Sequence, residues 1–161
     1  MHAKLWKPRI IDFDMQCFLD TNIFLRVLMR DIEDQYQASL EVTKAVRSNK
    51  IDGFTSQLVL AETVWTLSSY YKFPKKMVVR GIHSIIQLSG LTLEDRTDMQ
   101  LALTLFEANN VKYIDCMIAA MPPMQRKEWI IISYDHDFDK LGVIRKEPLE
   151  IIKKIQNKYV S

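Results

Sequence analysis

The chain has little of what soft-metal and disulfide-built proteins depend on. Its two cysteines, Cys17 and Cys116, lie far apart and form no CxxC or mixed Cys/His spacing. They read as reduced, apolar side chains of a core rather than as ligands. No apolar run reaches the ~20 residues needed to span a bilayer, and residues 1–14 have neither the apolar stretch nor the small-residue site of a signal peptide. A cytoplasmic protein with no membrane partner is expected. An excess of one charge is missing too: a net charge of +2 is too mild to imply a polyanionic partner. Internal repeats, linkers and low-complexity segments are also absent.

What is present suits one ordinary globular domain. The length is 161 residues, 48% hydrophobic and 26% charged. Apolar runs at 16–20, 52–56 and 129–133 read as short buried strands, and a weaker one centres on Val143 and Ile144. Between them, helical spacing is expected over 21–30, over 34–50 with Asp34 as N-cap, and over 57–72 with Ser56 as cap. Further helices are expected from Pro74 to about Leu88, over 93–109, and over 111–121, where Pro122 and Pro123 must end the helix. The last runs over 147–160 with Pro148 in its first turn. Strands alternating with helices predict a parallel sheet covered on both faces, with functional groups beyond the carboxyl ends of its strands.

Within these apolar segments stand isolated acids. Asp20 is the only charge between Asp14 and Arg26, Glu62 the only one between Asp52 and Lys72, and Asp115 the only one between Lys112 and Arg126. Asp135 and Asp137 follow a buried strand. Each alone has a structural explanation: Asp20 as a helix N-cap, Glu62 as the partner of a buried Tyr or Arg, Asp115 as the cap of its own short helix. Taken together they read better as carboxylates converging in one cleft, where they would raise one another's pKa values unless a cation intervened. Oxygen ligands without His or Cys favour Mg²⁺ or Mn²⁺ over zinc, and such a site suits phosphoryl chemistry. His136 reads as a solvated loop residue, and Trp65, Tyr70 and Tyr71 as core. Lys72, Lys75, Lys76 and Arg80 are either a solvated basic face or a phosphate-contacting rim.

The segments "FLDTNIFLRVL", "SQLVLAETVWTL", "YIDCMIAA" and "IISYDHDFDKLGV", in that order, resemble the PIN-domain nucleases and, within them, the VapC-type toxins of toxin–antitoxin pairs. The resemblance implies a three-layer α/β/α sandwich with a central parallel sheet. It implies an acidic, metal-holding and catalytic pocket of Asp20, Glu62, Asp115 and Asp135, with Asp137 as an accessory or alternative ligand. Thr21 or Asn22 would orient Asp20 or its water shell, and Ser133 would support the pocket. The implied activity is Mg²⁺- or Mn²⁺-dependent endoribonuclease cleavage by a metal-activated water. The implied partners are an RNA substrate, a cognate antitoxin protein and a second copy of the chain as a homodimer.

Two features depart from that family pattern. Residues 1–14 precede the usual start, so they are read as an N-terminal extension or the product of an upstream start codon, with residues 15–161 as a single PIN-like nuclease domain. The proline pair in "MPPMQRKEW" cuts the Asp115 helix short. A housekeeping RNA-processing PIN nuclease and a non-catalytic RNA- or protein-binding PIN-like module are the alternatives. An aspartate-nucleophile phosphatase of the haloacid-dehalogenase type fits poorly, because Asp12, Asp14 and Asp20 lack its Asp-x-Asp-then-Thr spacing.

Overall fold

Cys17, Phe18 and Leu19 are fully buried, and the strand they form, β1 (Gln16–Leu19), stops where the chain turns polar at Asp20. A computed structural model describes residues 15–160; the proposed extension over residues 1–14 lies outside the described residues. β1 is the centre of a five-stranded sheet with β2 (Asp52–Thr55), β3 (Leu91–Leu93), β4 (Trp129–Ile132) and β5 (Ile144–Lys146), in the order β3-β2-β1-β4-β5. Every pairing is parallel, with Phe18 opposite Phe54 and Leu19 opposite Ile132. The strand ends therefore share one edge, where Asp20, Ser56 and Ser133 follow β1, β2 and β4.

Parallel neighbours need crossovers, and here helices supply most of them. α1 (Thr21–Met29) and α2 (Glu33–Arg47) link β1 to β2. α3 (Gln57–Trp65) and α4 (Lys75–Ile86) link β2 to β3. α5 (Met99–Ala108), α6 (Tyr113–Ala119) and α7 (Pro122–Gln125) link β3 to β4, and α8 (Pro148–Val160) closes the chain. A 3₁₀ turn, His136–Lys140, lies between β4 and β5. The result is a PIN-like α/β/α sandwich around one main core. Cys17 and Cys116 are buried within that core as free thiols.

Several elements differ from the sequence expectation for identifiable reasons. α2 begins at Glu33 with Ile32 in the cap position, so Asp34 lies in the first turn beside Glu33, where both acids favour the helix dipole. The expected helix over 57–72 is α-helical only to Trp65 and continues as a π-helical turn, Thr66–Tyr70, closed by Tyr71 N donating to Thr66 O at 3.1 Å. Its buried stripe is Val59, Thr63 and Leu67. Trp65 (65% exposed) and Tyr70 (73% exposed) fall away from that stripe into solvent, which corrects their assignment to the core. β3 is a three-residue edge strand with Leu93 exposed, too short to announce itself by pattern. It displaces the start of α5 to Met99, where Asp98 accepts from Leu101 N at 3.0 Å. Pro122 and Pro123 open the short α7 as well as limiting α6, in the first-turn positions proline favours.

Gly90 makes the tight return from α4 into β3. Its φ of +85° disfavours any side chain, and a Cβ there would lie 2.4 Å from the Val46 carbonyl oxygen. We expect Gly90→Ala to destabilise the protein by about 3 kcal/mol in urea unfolding, from combined backbone strain and overpacking.

Candidate functional site

The site is built where β1 and β4 end side by side. Asp20 N donates to Ile132 O at 3.2 Å, and the buried Thr55 hydroxyl donates to Leu19 O at 3.0 Å, fixing three strand ends to one another. Asp20 occupies the N-cap position of α1 but makes no side-chain cap bond. Its Oδ2 instead accepts from Ser133 Oγ at 2.6 Å and from Asn22 Nδ2 at 2.7 Å. Asn22 also reaches Ser133 Oγ at 2.8 Å, and its Oδ1 accepts from Tyr134 N at 3.1 Å. Asn22 of α1 and Ser133 at the end of β4 thus hold the carboxylate in a single orientation.

The other acids arrive from separate elements. Ser56 caps α3 by accepting from Val59 N, and the half-buried Glu62 of that helix accepts from Thr21 Oγ1 at 2.5 Å. Thr21 therefore orients Glu62, while Asn22 and Ser133 orient Asp20. Asp115 lies in the first turn of α6, is buried, and its Oδ2 has no hydrogen-bond partner among the described residues. Asp135 accepts from Asp137 N at 2.9 Å and so opens the 3₁₀ turn, and Asp137 Oδ1 accepts from Lys140 Nζ at 2.6 Å. Among the described residues, Asp115, Asp135 and Asp137 bring carboxylate oxygens within 4.8 Å of one another. Asp20 and Glu62 stand beside this trio, close enough for their charges to act on Asp115. Asp137 accordingly shares the closest carboxylate grouping with Asp115 and Asp135.

Burial first, and like charge after it, raises the pKa values of two members of the group. Burial, chiefly, pushes Asp20 up to about 6, against the lowering effect of its bond from Ser133. Burial again, followed by the charges of Asp20 and Asp135, pushes Asp115 up to about 7.

Two residues of the site escaped the sequence reading. Lys112, one turn before Asp115, sets its ammonium 4.0 Å from Glu62 Oε1 and 3.8 Å from Asp135 Oδ2. The i,i+3 spacing to Asp115 was the available signal. Arg145 on β5, with a side chain only 9% exposed, donates to Ser133 O at 2.9 Å and to both oxygens of Asp139 at 2.9 and 3.1 Å. It braces the turn that presents Asp135 and Asp137, and no local pattern links it to that turn. His136 is exposed and pairs with Asp139 at 3.0 Å. Lys72, Lys75, Lys76 and Arg80 are all exposed.

The donor set fits a hard divalent cation. It is all oxygen, it contains a buried carboxylate oxygen without a partner, and two of its acids resist ionisation where they stand. Asp115, Asp135 and Asp137 bring oxygens close enough together to hold such an ion, and Asp20 and Glu62 stand beside them as further candidate ligands.

Comparison with known proteins agrees with this architecture. The PIN domain family model matches residues 17–144. Among solved structures, the chain is similar to VapC20 of Mycobacterium tuberculosis, a sarcin-ricin loop cleaving toxin, with a TM-score of 0.57 and 19% identity over 80% of this chain and 97% of that one. It is similar to VapBC2 of Rickettsia felis, solved with a DNA fragment from its promoter, with a TM-score of 0.57 and 20% identity over 83% of this chain and 98% of that one. PAE2754 of Pyrobaculum aerophilum matches with a TM-score of 0.62 at 8% identity, over 89% of this chain and 96% of that one. At such identities the likeness is one of fold. No curated protein sequence matches the chain.

The raised acids predict an unusual pH dependence in metal-free buffer. The folded state keeps protons on Asp20 and Asp115 that the unfolded chain has lost above about pH 4. Stability should therefore fall as pH rises from about 4 through 7, and level off above. Thermal unfolding in EDTA should show a loss on the order of 4 kcal/mol between pH 5 and pH 8. Asp115→Asn should flatten that slope and raise the melting temperature at pH 8.

Proposed function

The chain belongs to the PIN domain family, and from that membership we propose that it is a divalent-metal-dependent endoribonuclease acting as the toxin of a VapBC-type module. The observation that carries the reading is the buried, unpartnered Oδ2 of Asp115 at the meeting point of carboxylates from four separate elements. A fold gains no stability from such a group, so its retention is best explained by a cation that completes it. We take Asp20, Glu62, Asp115 and Asp135 as the catalytic and metal-holding acids, with Asp137 as a further ligand. Thr21, Asn22 and Ser133 support them, and residues 15–161 form the nuclease domain, with residues 1–14 as its extension.

When bound, Mg²⁺ or Mn²⁺ supplies Lewis-acid polarisation of an RNA phosphodiester and activation of the attacking water. The chain's own contribution is geometric and electrostatic. Asn22 and Ser133 fix Asp20, Thr21 fixes Glu62, and Arg145 fixes the turn bearing Asp135 and Asp137, so the acids need no reorganisation when substrate arrives.

Surface chemistry and the fold neighbours support the partner proteins of this reading. α5 exposes Met99, Leu103 and Phe106, a stripe at helical spacing suited to a second copy of the chain. Val64, Val79 and Ile86 are exposed around an apolar cavity of about 510 Å³ between α3 and α4, a surface suited to the apolar face of an antitoxin segment. VapC20, a fold neighbour, is a toxin that cleaves the sarcin-ricin loop.

Cleavage of a structured RNA pool by purified protein in Mg²⁺, Mn²⁺ or EDTA tests the activity. Changes outside the ligand shell of metal sites cost about 10- to 100-fold, so Asp20→Asn should lose more than about 100-fold. Cutting in EDTA, or cutting undiminished in Asp20→Asn, would contradict the reading. For the dimer, Leu103→Glu should convert the species seen by analytical ultracentrifugation from dimer to monomer; an unchanged dimer removes α5 as the interface.

A further inference from the structure

A metal ion held by the carboxylates meets the phosphate being cleaved, and the rest of the RNA backbone is left to the cations of the chain itself. Of the three cations described at the pocket, two are committed. Lys140 is bound to Asp137 at 2.6 Å. Arg145 is nearly enclosed, and its guanidinium is engaged by the Ser133 carbonyl and the Asp139 carboxylate. Lys112 differs from both. Its side chain is 62% exposed, and its ammonium lies 4.0 Å from Glu62 and 3.8 Å from Asp135, both too long for hydrogen bonds. It hovers between two carboxylates and donates to neither.

We propose that Lys112 is a substrate-contacting residue, its ammonium binding a backbone phosphate of the RNA strand at the mouth of the acidic pocket. The assignment rests on the nuclease reading above and adds to it the chain's own phosphate contact. Geometry favours it in three ways. Lys112 occupies the N-cap position of α6, three residues from Asp115, so its backbone is fixed by the same element that fixes the buried acid. Asp115 N and Cys116 N both donate to the Lys112 carbonyl, which holds that attachment point still while the four-carbon stem remains free. An ammonium on a flexible stem, with three donors not engaged in hydrogen bonds, can leave two long carboxylate contacts for one close phosphate contact. A phosphate offers it charge-assisted hydrogen bonds in their place.

The test uses the full chain and a fluorescein-labelled single-stranded poly(U) 20-mer, with binding followed by anisotropy in Ca²⁺ buffer across a salt series. Lys112→Met, which keeps the aliphatic stem, should weaken binding about tenfold, the loss of one charge-assisted contact. The slope of log K against log salt should fall by about 0.7, the share of one phosphate contact to a single strand. Lys112→Arg should restore both, and the circular dichroism spectrum of Lys112→Met should match wild type, since the residue is exposed. Equal affinity and slope in wild type and Lys112→Met would overturn the Lys112 assignment and leave the nuclease reading standing. A wild type that neither binds the probe nor cuts RNA would overturn both.

Discussion

The structure turns on the burial of like charges at one edge of a parallel sheet. Asp20 and Asp115 are almost wholly removed from water, and each stands in the field of further acids. Nothing in the apolar core requires them there. Their cost is offset locally for Asp20 by Ser133 and Asn22, and for Glu62 by Thr21. Asp115 Oδ2 receives no such relief. That asymmetry, a pocket satisfied on one side and open on the other, is what a cation would resolve, and it orders the remaining features of the site.

Sheet topology makes the convergence possible. The register that puts Leu19 opposite Ile132 also puts Asp20 beside Ser133, so a slip of one residue would part the carboxylate from its hydroxyl partner. Parallel strands deliver all their ends to one side, and the helices that follow return Glu62 and Asp115 to the same side. Stability and the site are opposed here. The sheet pays for the pocket through Phe18, Leu19, Ile131, Ile132 and the helices packed over them.

The parts of the fold that were legible beforehand were those carried by long apolar runs or by a strong local signal. β1, β2 and β4, the Ser56 cap and the Pro148 start of α8 all follow from neighbouring residues. β3 did not, because its three residues take their place from β2 and not from their own pattern. The π-helical turn after Trp65 likewise leaves no mark in a 3.6-residue period. For the site, isolation of Asp20, Glu62 and Asp115 in apolar company pointed to them directly. Lys112 and Arg145 were hidden among ordinary surface charges, because what distinguishes them is the direction in which they point.

Calorimetric titration of the metal-free protein with Mn²⁺ at pH 6.5, repeated in buffers of different ionisation enthalpy, tests the central claim most directly. At that pH Asp115, and in part Asp20, still hold protons in the folded protein. Binding of the ion to these acids must expel them. The account predicts saturable binding with release of about one proton per site. Absence of binding, or binding whose enthalpy is the same in every buffer, would contradict it.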